Sequence, residues 1–365
     1  MTGTTIPGLL EKLRRYEDLS AAEAAHAMGA IMDGAADPAQ VAGLLMALAL
    51  KGERPAEMVG FATAMRERAV PLPRPLGTVF DTCGTGGDGA HTFNVSTAAA
   101  IVVAGGGVRV AKHGNRAASS TCGSADVLEA LGIGLNGTAD LVVRAVEEAN
   151  LGFFFAQAWH PSMKHAAPIR RALGVRTAFN LLGPLTNPAR PSRQIVGVSR
   201  PEHTELLARS LGKLGTERAW VVHGAHGLDE LSTTGHTKVS EWREGAVKTF
   251  YVHPGDVGLP LAALDALRGG AAAENAAMIE RLLDGEAGPR RDVVLLNAGA
   301  ALLVGALPRR CATAWPVRPR RLTAAARGAC CRSFGRSARA KRPPAGHGRS
   351  RSPIGGRARA FDLAG

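Results

Sequence analysis

Long apolar runs, patterned cysteines and the common nucleotide-loop signatures are all missing from this 365-residue sequence. No stretch of about eighteen uninterrupted apolar residues occurs, which argues against a membrane-spanning helix. Met1 to Leu10 shows no basic segment followed by an apolar run, so no secretory signal is expected. The five cysteines, Cys83, Cys122, Cys311, Cys330 and Cys331, have neither metal-ligand nor disulfide-framework spacing, and a reduced cytoplasmic setting fits them best. Gly-Lys-Ser/Thr and the Gly-x-Gly-x-x-Gly spacing are both absent, so neither a Walker loop nor a dinucleotide fingerprint is present. No internal repeat is found.

The main body also lacks an excess of one charge. The whole chain carries a net +13. From Ala306 onward, however, there are 15 basic residues and one acid, Asp362, leaving 29 basic and 30 acidic groups in residues 1–305. A near-neutral body argues against a basic nucleic-acid surface on the folded part. What is present is ample apolar material, 45% of residues, enough for a packed core.

Residues 1–72 read as a small helical domain. Ser20 with Glu23 forms a capping-box signature, Asp37-Pro38 reads as an N-cap and first helical residue, and Pro55 opens a further helix. Pro71, Pro73 and Pro75 mark a stiff connector. From residue 73 to 305 strands and helices alternate. Strands are expected at 79–80, 108–111, 152–155, 194–198 and 219–222, and helices at 95–103, 125–131, 139–149 and 202–214. The fold class is therefore α/β, a small helical domain plus a large domain with a mainly parallel central sheet. Residues 306–365 have no apolar periodicity and are rich in Arg, Pro, Gly and Ser, a composition that predicts disorder.

Two segments carry the chemistry. Gly84-Thr85-Gly86-Gly87-Asp88 follows a predicted strand, and small residues there let backbone N–H groups approach an anion. Asn94 or Ser96 would cap the next helix, whose positive end faces the same anion. A helix dipole contributes only about 0.3–1 kcal/mol at an exposed site, so tight phosphate binding requires a cation nearby. Lys112, in Lys112-His113-Gly114-Asn115, would supply it from a strand C-terminus. Ser119 to Asp126 offers a second small-residue turn. A plain glycine-rich turn is the alternative for the loop, but the strand before it and the helix after it favour phosphate; Asp229-Glu230 by itself reads as a solvated acidic loop.

Taken together with Asn180-Leu181-Leu182-Gly183-Pro184-Leu185-Thr186-Asn187-Pro188 and His223-Gly224 leading to Gly227-Leu228-Asp229-Glu230, these segments resemble the anthranilate phosphoribosyltransferases, in the fold group shared with pyrimidine nucleoside phosphorylases. The resemblance runs from about Leu9 to Gly305. It implies transfer of the phosphoribosyl group of 5-phosphoribosyl 1-diphosphate to the amine of anthranilate with Mg²⁺, in tryptophan biosynthesis, by a homodimer. It places Gly84, Thr85, Gly87, Asp88, Thr92, Asn94, Ser96, Thr97, Lys112, Ser120 and Ser124 around the phosphates. Ser96, Asp229 and Glu230 would serve the metal, and Arg170 the anthranilate carboxylate, with Arg171 as a possible swap. His113, Asn115 and His160 would line the same pocket, although a lone histidine is more often structural than catalytic. Lys112, Asn115 and Arg170 are the expected catalytic residues. A pyrimidine nucleoside phosphorylase, or a nucleic-acid-binding relative using the Arg-rich tail, are the alternatives.

The family-like text stops at Gly305, where relatives continue with a segment containing Leu-Arg-Asp-Gly-Val and then Ile-Asp-Ser-Gly. GC-rich codons can be chosen for Cys311 to Ala325 that restore such text when read one base earlier. A reading-frame shift near Leu307 to Arg310 is therefore expected, and sequencing the coding DNA tests it.

Overall fold

The computed structural model describes residues 5–117 and 121–305. Four helices come first: α1 (Ile6–Arg14), α2 (Ala21–Met32), α3 (Pro38–Lys51) and α4 (Pro55–Glu67). Their starts are set locally. Ser20 Oγ accepts from the Glu23 N–H while Glu23 accepts from the Ser20 N–H, closing the predicted capping box. Asp37 accepts from Ala39 and Gln40 N–H, with Pro38 at the first helical position. Glu57 is fully buried. It is stabilised there by the Leu19 and Arg54 N–H groups and by Lys51 at 3.0 Å, so its charge is not left uncompensated.

Then the rhythm becomes β1 (Phe80–Gly84), α5 (Val95–Gly105), β2 (Val110–Gly114), α6 (Ser124–Ala130), α7 (Ala139–Ala149) and β3 (Leu151–Phe155). Three helices follow, α8 (Ala156–Trp159), α9 (Met163–Leu173) and α10 (Phe179–Leu182). The chain continues through β4 (Arg193–Gly197), α11 (His203–Lys213), β5 (Arg218–Gly224), β6 (Thr237–Arg243), β7 (Ala246–Val252), α12 (Ala272–Leu283) and α13 (Pro289–Gly305).

The sheet order is β3-β2-β1-β4-β5-β6-β7, parallel from β3 through β5 and antiparallel at β6 and β7. The mainly parallel sheet is as expected. The closing hairpin was not anticipated, because β7 alternates poorly between covered and open residues. The strand predicted at 108–111 lies two residues later. Lys112 and His113 therefore sit within β2, near its C-terminal end, and not in a following loop.

One face of the sheet packs against α5, α12 and α13. The other packs against α11 and shares its apolar core with α2, α3, α4 and α10. The helical bundle is thus welded to the sheet by residues such as Phe61, Phe179, Leu207 and Val221, all buried. Sheet order reverses around β1: the chain builds β2 and β3 on one side, then crosses to β4 on the other. The C-terminal end of β1 is the switch point where parallel sheets bind ligands, and it carries Gly84. No helix among the described residues is long and apolar enough to cross a membrane.

Candidate active site

The glycine loop leaves β1 against the end of β4, where Thr85 N–H donates to the Gly197 carbonyl at 2.9 Å. Asp229 approaches this junction so closely that a Cβ on Gly84 would collide with its carboxylate and one on Gly197 with its carbonyl. The two strand-end glycines therefore admit Asp229, whose Oδ2 accepts the Gly86 N–H at 2.7 Å. Gly86 and Gly87 both hold positive φ, +67° and +73°, a conformation that side chains strain.

Glu230 caps α5. Its Oε1 accepts the Ser96 N–H at 3.1 Å, placing a carboxylate at the positive end of the helix. This corrects the expected cap: the Asn94 side chain makes no capping bond. It donates instead to the Cys122 carbonyl at 3.1 Å and accepts from Asn275 Nδ2 at 3.0 Å. Ser96 Oγ accepts from Lys112 Nζ at 3.3 Å, and the same ammonium donates to the Thr82 carbonyl at 2.6 Å. Lys112 is thus a buried cation beneath the loop, 2% exposed.

Burial and the nearby Asp88 charge push Asp229 up to about 7, while burial and Asp229 push Glu230 up to about 8. Such crowding of carboxylates suits a hard cation. Among the described residues no three His, Cys, Asp or Glu groups converge on one metal position. The oxygen donors of Asp229, Glu230 and Ser96 are of the chemical kind that suits Mg²⁺, which typically takes one or two carboxylates and completes its shell with water and substrate phosphate.

The second half of the cleft rests on β2 and the 179–188 segment. His113 Nδ1 lies 3.1 Å from the Gly183 carbonyl, which accepts its proton and so sets the tautomer. The His113 and His160 rings meet edge-on at 5.3 Å. Neither Nε2 has a hydrogen-bond partner among the described residues, although both are buried. Burial pushes His113 down to about 3 and His160 to about 4, so both rings are neutral near pH 7. The Arg170 guanidinium stands 5.1 Å above the Phe179 ring, and desolvation lowers its pKa. Asn115 Oδ1 accepts the Arg116 N–H at 2.8 Å, and its carbonyl accepts from Ser124 Oγ at 3.3 Å.

The structure accordingly brings Gly84, Thr85, Gly87 and Asp88 together with Ser96, Lys112, Asp229 and Glu230. Thr97 is buried in α5 with no partner for its hydroxyl among the described residues, and Thr92 bridges to Arg268. The structure shows Arg170 against Phe179 and does not join it to the glycine loop. Ser120 and the expected disordered tail lie outside the described residues.

Four residues escaped the sequence reading. Asn275 orients Asn94. Asn297 of α13 clamps Leu231, accepting its N–H at 3.1 Å and donating to its carbonyl at 2.8 Å, and so steadies the adjacent Asp229-Glu230. Asp81 is buried and accepts from the His113 N–H and from Asn187 Nδ2, beneath both halves of the cleft. Arg176 Nη1 donates to the Gly86 carbonyl at 3.1 Å. Asn187 explains part of the specificity of the Asn180 to Pro188 block: fully buried, it ties Asp81 to the Ala111 carbonyl.

A bundle fused to a switch-point sheet, with a glycine loop over clustered carboxylates and a lysine, is the architecture of a glycosyl transferase. The helical bundle domain of a glycosyl transferase family matches residues 7–69, and the α/β domain of that family matches residues 76–314. The anthranilate phosphoribosyltransferase of Symbiobacterium thermophilum is 58% identical over 295 residues, 81% of this chain and 86% of that protein. That of Caulobacter vibrioides is 55% identical over 296 residues, with 81% and 86% covered. The crystal structure of anthranilate phosphoribosyltransferase from Thermus thermophilus aligns with a TM-score of 0.78 and 45% identity, covering 90% of this chain and 96% of that one. The Saccharomyces cerevisiae enzyme in complex with PRPP and Mg aligns with a TM-score of 0.79 and 28% identity, covering 92% and 97%. This chain belongs to the anthranilate phosphoribosyltransferase family.

Proposed function

We infer that the chain transfers the phosphoribosyl group of 5-phosphoribosyl 1-diphosphate to the amine of anthranilate, giving N-(5-phosphoribosyl)anthranilate and diphosphate in tryptophan biosynthesis. The observation that carries this reading is the convergence of the glycine loop, Lys112 and the Asp229-Glu230 pair at the switch point. The relatives' names and the PRPP- and Mg-bound yeast neighbour support it over a nucleoside phosphorylase or a nucleic-acid binder.

The aromatic amine is neutral at pH 7 and needs no strong base before attack. The difficulty lies in departure of diphosphate from C1 of the ribose, where charge accumulates on the leaving oxygens. The backbone N–H groups of Gly87 and Asp88 and the buried Lys112 would stabilise that charge, a contribution of the kind worth about 3–4 kcal/mol per well-placed donor. Asp229, Glu230 and Ser96 would hold Mg²⁺, which when bound neutralises diphosphate charge. Asn94 and Ser124, with Thr85 and Asp88, would fix the phosphates. Arg170 would take the anthranilate carboxylate by its planar fork, with His113, Asn115 and His160 around the ring. Its present partner is an aromatic face, so a carboxylate would find a guanidinium already stripped of part of its water.

Homodimerisation through the helical bundle is part of the same reading, supported by Tyr16 and Leu50, which stand 74% and 77% exposed there. Sedimentation at micromolar concentration checks it. A cytoplasmic location is part of the same reading. The reaction is tested by product analysis: equimolar phosphoribosylanthranilate and diphosphate are expected. Phosphorolysis of thymidine or uridine by the purified chain would overturn the reading.

A further inference from the structure

Gly86 is gripped at both of its backbone polar groups. Asp229 takes the N–H at 2.7 Å from the β5 side of the cleft, and Arg176 donates to the carbonyl at 3.1 Å from the segment joining α9 to α10. The C=O of one residue and the N–H of the next belong to one planar trans peptide and point in opposite directions. Fixing the Gly86 carbonyl therefore fixes where the Gly87 N–H points, and that N–H is among the donors an anionic oxygen would take. The guanidinium also occupies the space beside residue 87, where a Cβ would collide with Nη1. Its Nη2 is buried with no hydrogen-bond partner among the described residues. Asp88 and Asp229 attract the guanidinium, while Arg200 repels it. Arg176 follows α9, the helix that carries Arg170, by three residues.

We propose that Arg176 is a positioning residue that latches the glycine loop in its diphosphate-binding shape and so governs the phosphoribosyl donor and not the acceptor. The proposal rests on the substrate reading above. It requires that the loop lose its fixed amide direction when the guanidinium is removed, while Arg170 and the His113–His160 pair stay in place. A lysine at 176 retains the charge and one donor for the Gly86 carbonyl, but not the planar fork.

The test uses the full chain and two readouts, calorimetric binding of magnesium diphosphate and steady-state kinetics. For Arg176→Ala, the Kd for magnesium diphosphate and the KM for phosphoribosyl diphosphate are expected to rise about tenfold, the scale of one lost charge-assisted hydrogen bond. The KM for anthranilate should stay within about twofold, and Arg176→Lys should recover most of the loss. Donor affinity unchanged in Arg176→Ala would overturn the proposal. So would a parallel rise of both KM values with a lowered melting temperature, which is what a merely structural role gives. Wild-type chain that turns over normally beside an unaffected variant isolates this failure. Wild-type chain that binds no magnesium diphosphate instead overturns the substrate reading, and the proposal falls with it.

Discussion

The proposed diphosphate end of the cleft is already bonded within the protein, whereas the proposed anthranilate end holds buried ring nitrogens with no hydrogen-bond partner among the described residues. At the first, Asp229, Glu230, Lys112 and Arg176 each engage the backbone of the glycine loop, β1 or α5. At the second, both histidines keep a buried Nε2 without a hydrogen-bond partner among the described residues, and Arg170 rests on a ring. A highly charged leaving group demands preorganised dipoles, because reorienting them during the reaction would cost the stabilisation they provide. A planar, singly charged acceptor needs shape and one fork. The two ends should therefore respond differently to substitution.

The largest effect is expected at Lys112. Lys112→Met removes the buried cation, and kcat/KM for phosphoribosyl diphosphate should fall about a thousandfold, or ~4 kcal/mol. Equal loss in both substrates' KM with unchanged kcat would contradict its placement under the diphosphate.

Glu230→Gln comes next. It keeps an oxygen for the Ser96 N–H but can no longer ionise when a metal binds beside Asp229. Activity at fixed Mg²⁺ should drop about a hundredfold, a loss of the size seen on removing one electrostatic group from a site. The metal-free protein should nonetheless melt about 2 °C higher, since roughly 1 kcal/mol shifts a domain of this size by a few degrees. Thermal scans in chelator check this, and a lower melting point would show that the carboxylate serves the fold.

Arg170→Ala should raise the KM for anthranilate about thirtyfold, close to 2 kcal/mol, while leaving donor binding within about twofold. A matching rise in donor KM would erase the contrast between the two ends.

The smallest effect concerns pH. His113 and His160 titrate near 3 and 4 in the fold, against about 6.5 in the unfolded chain. Above pH 6.5 both states are neutral and the rings cost nothing. As pH falls below 6.5 the unfolded chain takes up protons that the fold refuses, so stability decreases. At pH 5 each ring costs about 2 kcal/mol by linkage. Urea unfolding at pH 7.5 and pH 5 should show the acid loss shrink by about that amount in His160→Gln. An unchanged difference would mean that the ring is already open to water.

The same contrast explains what could be read from the chain alone. The helix starts at Ser20 and Asp37 were legible because a cap and its partner lie within three residues. The glycine loop and β1 were legible because a strand, small residues and a helix follow in order. The wiring of the loop was not. Asp229 meets Gly86 across 143 residues, Glu230 meets Ser96 across 134, and Arg176 meets Gly86 across 90. No local pattern encodes such pairs; they follow from the crossover between β3 and β4 and from the close approach allowed at Gly84 and Gly197. Asn94 shows the reverse error: a good capping residue by type, it is taken by Asn275 and Cys122, and a distant glutamate caps the helix. At the far end, α13 has its last carbonyls at Leu303 and Val304 met by Arg218 and Arg193. The reading-frame proposal concerns residues beyond that helix, outside the described ones, and the coding DNA decides it.

The most direct test follows anthranilate fluorescence with the full chain, phosphoribosyl diphosphate and Mg²⁺. The account predicts loss of fluorescence that requires both the donor and the metal. A flat trace from soluble, folded protein would contradict it.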